Sequence, residues 1–303
     1  MSASVAEGVS RSTGTATRTE RTAATSRHLA ICVDDFGSAP GIAAAVESLA
    51  RRGRVQAVSC LVTAGGWRRD APRLASLGPR VEAGLHFDLT EGPPLSQDLA
   101  RAWPSSPSLP RLLALAHLGK LPLAALRAEV VAQLDAFVAA IGAAPRFVDG
   151  HQHVHHLPGV REPLLEAIES LQPRPAVRDT GRILGPGHAF KRAVIAGTGG
   201  RHLHAELERR GLAHNAALTG VYDFIDHDYG KLMRGWLGAV PAEGALLFCH
   251  PAAAAGLDAA DSIGGARPRE LAYLLGDEFG CDLEAAGVTL GAVWQVSGTT
   301  TRG

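Results

Sequence analysis

The chain has 303 residues, of which 46% are hydrophobic, and its 30 Lys and Arg balance 30 Asp and Glu. That apolar content excludes disorder of the whole chain and supplies the core of one large α/β domain or two small ones. A formal charge of zero gives no global field to gather polyphosphate, which sets nucleic acid aside as a partner.

Residues 1–26 are rich in Ser, Thr, Ala and Arg but hold no apolar run of signal-peptide length. They read as a disordered leader ahead of a domain spanning 27–303, with cytoplasmic residence as the default expectation. β-like runs then alternate with helix-like ones. The strand candidates are 29–33 (LAICV), 55–63, 81–87 (VEAGLHF), 146–150 (RFVDG), 175–178 (PAVR), 245–249 (ALLFC) and 288–294 (VTLGAVW). Between them fall helical patterns at 41–53, 67–77, 123–141, 161–171, within 190–238, and near 269–275. Seven strands separated by helices imply a parallel sheet with βα connections, and their lack of alternation fits strands covered on both faces. Helical insertions are expected at about 92–142 and 185–238. The first opens on 92–122, which carries six prolines and is expected to reach the rim of a site. The apolar stretch 109–126 reads as a helical pair packing on the barrel, in preference to a lipid-binding surface.

Periodicity does not distinguish an open sheet from a barrel, and two observations favour the barrel. Polar residues with chemical potential follow several different strands, and no GxGxxG opens a helix after the first. GTGG at 197–200 has neither that spacing nor the GK[ST] of a phosphate loop, and reads as a turn. A single α/β domain, a distorted (β/α) barrel, is the expected fold. Cys32, Cys60 and Cys249 fall inside strand runs and Cys281 stands alone, so they read as reduced thiols without disulfide spacing. No stretch reaches the 18 or more apolar residues of a helical membrane span.

The chemistry-bearing residues gather at strand ends. VDDFG places Asp34 and Asp35 after the first strand; two carboxylates that close resist ionising together unless a cation intervenes, although one of them could instead cap the next helix. The kinase-like DFG letters lack the HRD, VAIK and glycine-rich partners of a kinase. His86 ends the third strand, and VDGHQHVHH places Asp149, His151, His153, His155 and His156 within eight residues after the fourth. If that run is extended, alternate imidazoles project to one side. His250 follows ALLFC directly. In a βα barrel all of these share one face. One carboxylate with two imidazoles is a three-ligand catalytic set with open positions, suited to Zn2+ and acceptable to other divalent ions. A second carboxylate can then act as general base, and a separate His can protonate a departing amine.

Four blocks in order, VDDFGSAPGI, GLHFDLTEGPPL, FVDGHQHVHHLPGV and LLFCHPA, resemble the YdjC-like carbohydrate deacetylases, the family that includes chitooligosaccharide deacetylase and the hopanoid-associated deacetylases. The match runs from about residue 28 to 294. The resemblance implies a distorted barrel related to polysaccharide deacetylases and removal of acetyl groups from N-acetylated sugars. It further implies one divalent ion, Zn2+ or Mg2+, held by Asp35, His86 and His151. Asp34 would be general base, His250 general acid, and Arg178 the arginine that orients the base. His153 and His155 would touch substrate or back the ligands. The implied partner is an N-acetylated carbohydrate, as an oligosaccharide or a glycolipid; peripheral membrane contact and self-association are left open. Two other readings stand beside this one: a different metal-dependent amidohydrolase or phosphoesterase on a similar barrel, and a noncatalytic metal- or sugar-binding protein. The first usually carries an HxH pair after its first strand, where this chain has Asp34 and Asp35.

Overall fold

A computed structural model describes residues 27–295 and Met1; the leader expected over 1–26 otherwise lies outside the described residues. The strands are β1 (Arg27–Phe36), β2 (Ala57–Cys60), β3 (Glu82–Phe87), β4 (Phe147–Gly150), β5 (Ala176–Val177), β6 (His214–Asn215), β7 (Leu218–Thr219), β8 (Ala245–Cys249), β9 (Val288–Leu290) and β10 (Trp294–Gln295). Their order is β10-β6-β5-β4-β3-β2-β1-β8-β7, with β9 also on β1, and every pairing is parallel except β10 with β6. The two flanks of this order meet in one short run. His214 pairs with Val177 of β5, whereas Leu218 and Thr219 pair with Leu246 and Leu247 of β8. Residues 214–219 therefore join both sides of the sheet and curl it into a distorted barrel of seven staves: β1 to β5, the run 214–219, and β8.

The seventh strand expected over 288–294 forms differently. β9 follows β1 for three residues, Gly291 donates to the Leu29 carbonyl, and the chain then turns so that Trp294 stacks on Phe147 at 5.0 Å. Trp294 also donates to Glu82 at the start of β3, so it plugs the amino-terminal end of the barrel. The helix Asp277–Ala286 and the stave 214–219 were not among the expected elements.

Side-chain alternation sorts each strand into two layers. Leu29, Ile31, Val33, Val58, Leu85, Val148, Val177 and Leu247 face outward into the main core beneath the helices. Ala30, Cys32, Ala57, Phe147, Ala176, Leu246 and Phe248 form a second, interior cluster. Continuing the interior register two residues further places Asp34 after Cys32, Ser59 after Ala57, Asp149 after Phe147, Arg178 after Ala176 and His250 after Phe248. The period of two thus delivers small and aromatic residues to the barrel floor and polar ones to its carboxyl end.

The helices supply the outer layer. Helix Pro40–Arg51 opens on a proline, tolerated where the N–H has no helical partner, and buries Ile42, Val46 and Leu49. The expected helical pair over 109–126 is present: helix Leu109–His117 buries Leu112 and Ala116, and helix Leu123–Ile141 buries Leu126, Val130 and Phe137. Phe137 stacks on Trp67 at 5.8 Å. Asp228 caps helix Tyr229–Ala239 by accepting from the Lys231 N–H. Among the described residues, no helix is long and apolar enough to cross a membrane.

Candidate active site

A cavity of about 580 Å3 opens at the carboxyl ends of the strands, lined by Asp34, Asp35, His86, His151, His153 and His250 among others. Glu91 and Leu109 place the proline-rich insertion on its rim, while Phe224, Phe248 and Ile195 give it apolar walls.

Asp34 is buried and clamped by Arg178, whose two terminal nitrogens donate to its two oxygens at 2.7 and 2.6 Å. The same guanidinium lies 2.6 Å from Asp149, so one buried cation serves two buried carboxylates. Such bidentate pairs fix orientation as well as charge. Burial disfavours the Arg178 charge, but Asp149 and Asp34 outweigh it and raise its pKa. Asp149 in turn receives the Nδ1–H of His86 at 2.6 Å and the Ser59 hydroxyl. A carboxylate only accepts, so His86 carries a proton on Nδ1 and turns Nε2 toward Asp35, 3.6 Å away; burial opposes its charge, but Asp149, Asp34 and Asp35 raise its pKa to about 9, a pull that a cation at Nε2 would replace. This carboxylate-backed imidazole is the arrangement that orients metal-ligating histidines.

Asp35 occupies the left-handed region at φ 64°, a conformation that Asp tolerates better than most residues and that aims its carboxylate into the cavity. Its Oδ2 is held by Arg267 at 2.8 Å. Its Oδ1, buried and without a hydrogen bond of good geometry, lies 3.2 Å from His151 Nδ1. Ligand atoms of Asp35, His86 and His151 all fall within 4.8 Å of one another. Burial opposes the charge on Asp35, yet His151 and His86 outweigh it and hold its carboxyl well below the usual range. Three buried carboxylates, Asp34, Asp35 and Asp149, face two buried guanidiniums, Arg178 and Arg267, and Arg267 is shared with Asp261, so negative charge is in excess when the imidazoles are neutral. An orphaned carboxylate oxygen, two converging imidazoles and a residual negative charge fit a divalent cation.

The run 151–156 is not extended, which corrects the alternation expected from HQHVHH. It turns in 3-10 fashion, with Gln152 and His153 at φ 51° and 62°. Gly150 permits the turn: a Cβ there would lie 2.7 Å from the His155 backbone nitrogen. Each imidazole consequently meets a different partner. His151 enters the three-residue cluster and also approaches Glu91 at 3.1 Å. His153 lines the cavity edge-on to Phe248, and burial with the nearby His156 keeps it neutral. His155 lies beneath the site, donating from Nε2 to the Arg178 carbonyl at 2.9 Å, and does not line the cavity. His156 is bonded to Thr180 and Thr198.

His250 reaches the cavity between Phe224 and Phe248, and burial lowers its pKa to about 4 against the pull of Asp35 and Asp34. Its backbone N–H donates to Glu270 at 2.6 Å, and its carbonyl accepts from Arg267. Arg267 and Glu270 both come from helix Arg267–Leu275 and carry no motif that would single them out. Ser59 and Asp149 also gain parts here that the sequence reading did not give them; their signal was the interior register two residues beyond Ala57 and Phe147.

Comparison with known proteins places the whole assembly. The model of a family described as YdjC-like protein matches residues 28–285. The chain is 32% identical over 245 residues to a carbohydrate deacetylase of Mus musculus, covering 74% of this chain and 77% of that one. It is 36% identical over 134 residues to a chitooligosaccharide deacetylase of Proteus mirabilis, covering 42% and 49%. A crystal structure from Enterococcus faecalis, assigned to cellobiose-phosphate cleavage, shares the fold with a TM-score of 0.67 at 19% identity, covering 88% of this chain and 97% of that one. With that model matching a span that takes in every strand contributing to the cavity, this chain belongs to the YdjC-like protein family.

Proposed function

We propose that the chain is a metal-dependent carbohydrate N-deacetylase, hydrolysing the acetamide of an N-acetylated sugar in an oligosaccharide or glycolipid. The observation that carries this reading is the convergence of Asp35, His86 and His151 beside an Asp34 already fixed by Arg178. The names of the curated relatives point the same way.

Asp35, His86 and His151 would hold the ion, Zn2+ or Mg2+. Bound there, a divalent ion polarises a carbonyl and lowers the pKa of water from ~15.7 toward ~7. Asp34 is the group placed to take a proton from the attacking water, and Arg178 keeps both its oxygens oriented for that transfer. Asp149 holds the His86 ring in the tautomer that presents Nε2 to the cluster. The departing nitrogen is too basic to leave unprotonated, and His250, neutral at rest, stands on the cavity wall to take up the proton released from the attacking water and pass it to that nitrogen. Phe224 and Phe248 exclude water beside it and offer faces on which a sugar ring can pack. His153 is a neutral donor toward substrate, whereas His155 braces the Arg178 backbone from below.

The test is acetate release from diacetylchitobiose and from an N-acetylglucosaminyl lipid, with Zn2+ or Mg2+ supplied. Turnover is expected with at least one of them, and Asp34→Asn is expected to lower it by about 1,000-fold while metal content stays unchanged. Release of phosphate instead of acetate, or undiminished turnover in Asp34→Asn, would overturn the assignment.

A further inference from the structure

We infer that Asp179, His204 and His214 form a second divalent-cation site, of structural zinc type, outside the cavity. Their ligand atoms also lie within 4.8 Å of one another. Asp179 is buried and directly follows Arg178, and its backbone N–H and carbonyl are both held by the Asn215 side chain, at 2.8 and 3.1 Å. Its Oδ1 accepts from the Gly181 N–H, and its Oδ2 faces His204 Nδ1 at 2.8 Å. Among the described residues no Lys or Arg pairs with this carboxylate, and burial raises its pKa. A buried carboxylate without a permanent cation calls for one.

His214 supplies an independent sign. Its Nδ1 donates to the Leu212 carbonyl at 2.8 Å, which leaves Nε2 with a lone pair in the neutral ring. That Nε2 nevertheless faces Glu208 Oε1 at 3.2 Å. Two acceptors so placed need a proton or a metal between them. His204 and Glu208 stand four residues apart on helix Arg201–Arg210 and so share one face of it. The helix is held close: a Cβ on Gly181 would lie 2.7 Å from the His204 Cβ. Zinc bonds of ~2.0–2.1 Å put tetrahedral ligands about 3.3 Å apart, so side-chain shifts of about 1 Å close the site. Two imidazoles with carboxylates select Zn2+ over the harder Mg2+ and Ca2+. Glu208 as fourth ligand would leave no open position, which makes the ion a tether and not a catalyst. The elements tethered are the end of β5, helix Arg201–Arg210 and β6, the stave that joins the two sides of the barrel. His204 is 45% exposed at its side chain, which gives the ion an entry path.

The test counts zinc on the untagged full chain after chelation, re-equilibration with Zn2+ and desalting. Wild type is expected to hold two ions, His204→Ala one, Asp35→Ala one, and the double variant none. Zinc should raise the melting midpoint of Asp35→Ala by several degrees and leave that of the double variant unmoved. Equal zinc in Asp35→Ala and the double variant overturns the second site. Equal zinc in wild type and Asp35→Ala, with one ion still lost in His204→Ala, overturns the cavity reading and leaves this inference standing. A circular-dichroism melt of metal-free His204→Ala, expected to match wild type, separates lost ligation from lost folding.

Discussion

Two constellations of one Asp and two His stand only a strand apart in the same barrel, and they are built differently. Around Asp35, His86 and His151 most supporting charges are buried: Arg267 on Asp35, Asp149 on His86, Arg178 on both Asp149 and Asp34, with Glu91 beside His151 the exposed one. Around Asp179, His204 and His214 the supports are backbone N–H groups, an asparagine amide and a half-exposed glutamate. The first is held by the protein's own ion pairs before any ion arrives, as the proposed reaction requires. The second can adjust, as a tether can.

This contrast breaks most visibly at Arg178. Arg178→Met leaves two buried carboxylates without their cation and should cost about 3–5 kcal/mol of stability, read from a urea denaturation curve. An unchanged midpoint would mean that the cavity's charges are as loosely held as those of the second cluster. Next in size is Glu270, the carboxylate under His250, which burial lifts to about 7 against hydrogen bonds from Tyr222 and the His250 N–H. A carboxyl raised in the fold favours folding below its unfolded pKa of 4.5 and loses that contribution as pH climbs through 7. Glu270→Gln should therefore be flatter than wild type between these limits, by about 3 kcal/mol at ~1.36 per unit. Parallel stability–pH curves for the two proteins would refute it. Asp149→Asn should weaken metal binding at the cavity by about 10–100-fold, measured by competition with a chelating dye. The smallest effect is expected at the softer cluster, where His204→Ala should change metal-free stability by no more than about 1 kcal/mol. A larger loss would erase the distinction drawn above.

What the sequence made legible follows the same division. Strands β1, β3, β4 and β8 are compact apolar runs ending in unusual polar letters, so both their existence and the residues at their tips could be read; β2 could be read as a strand, but not the part played by its Ser59. The barrel itself was expected, but the stave that closes it could not be read, because HNAALT contains too few apolar residues to register as a strand and gains its pairing only from β5 and β8 on either side. Asp149 stood in plain view inside VDGH, but its bond to His86 spans 63 residues and leaves no local trace. The histidine run departs from the alternation its spacing suggests because Gly150 and two left-handed residues turn it. Arg267 and Glu270 lie on an ordinary amphipathic helix, where charged residues are the rule.

The proposed ligands Asp35, His86 and His151 all belong to the first half of the chain, but the guanidiniums that neutralise their surroundings come from positions 178 and 267. Arg267 bridges 232 residues to reach Asp35. During synthesis on the ribosome, β1 must wait for β8 and β9, its neighbours on the far side, before its edge is covered. A nascent chain that has emerged only as far as β4 carries a patch of uncompensated carboxylates, so the cavity face can assemble only when translation is nearly complete.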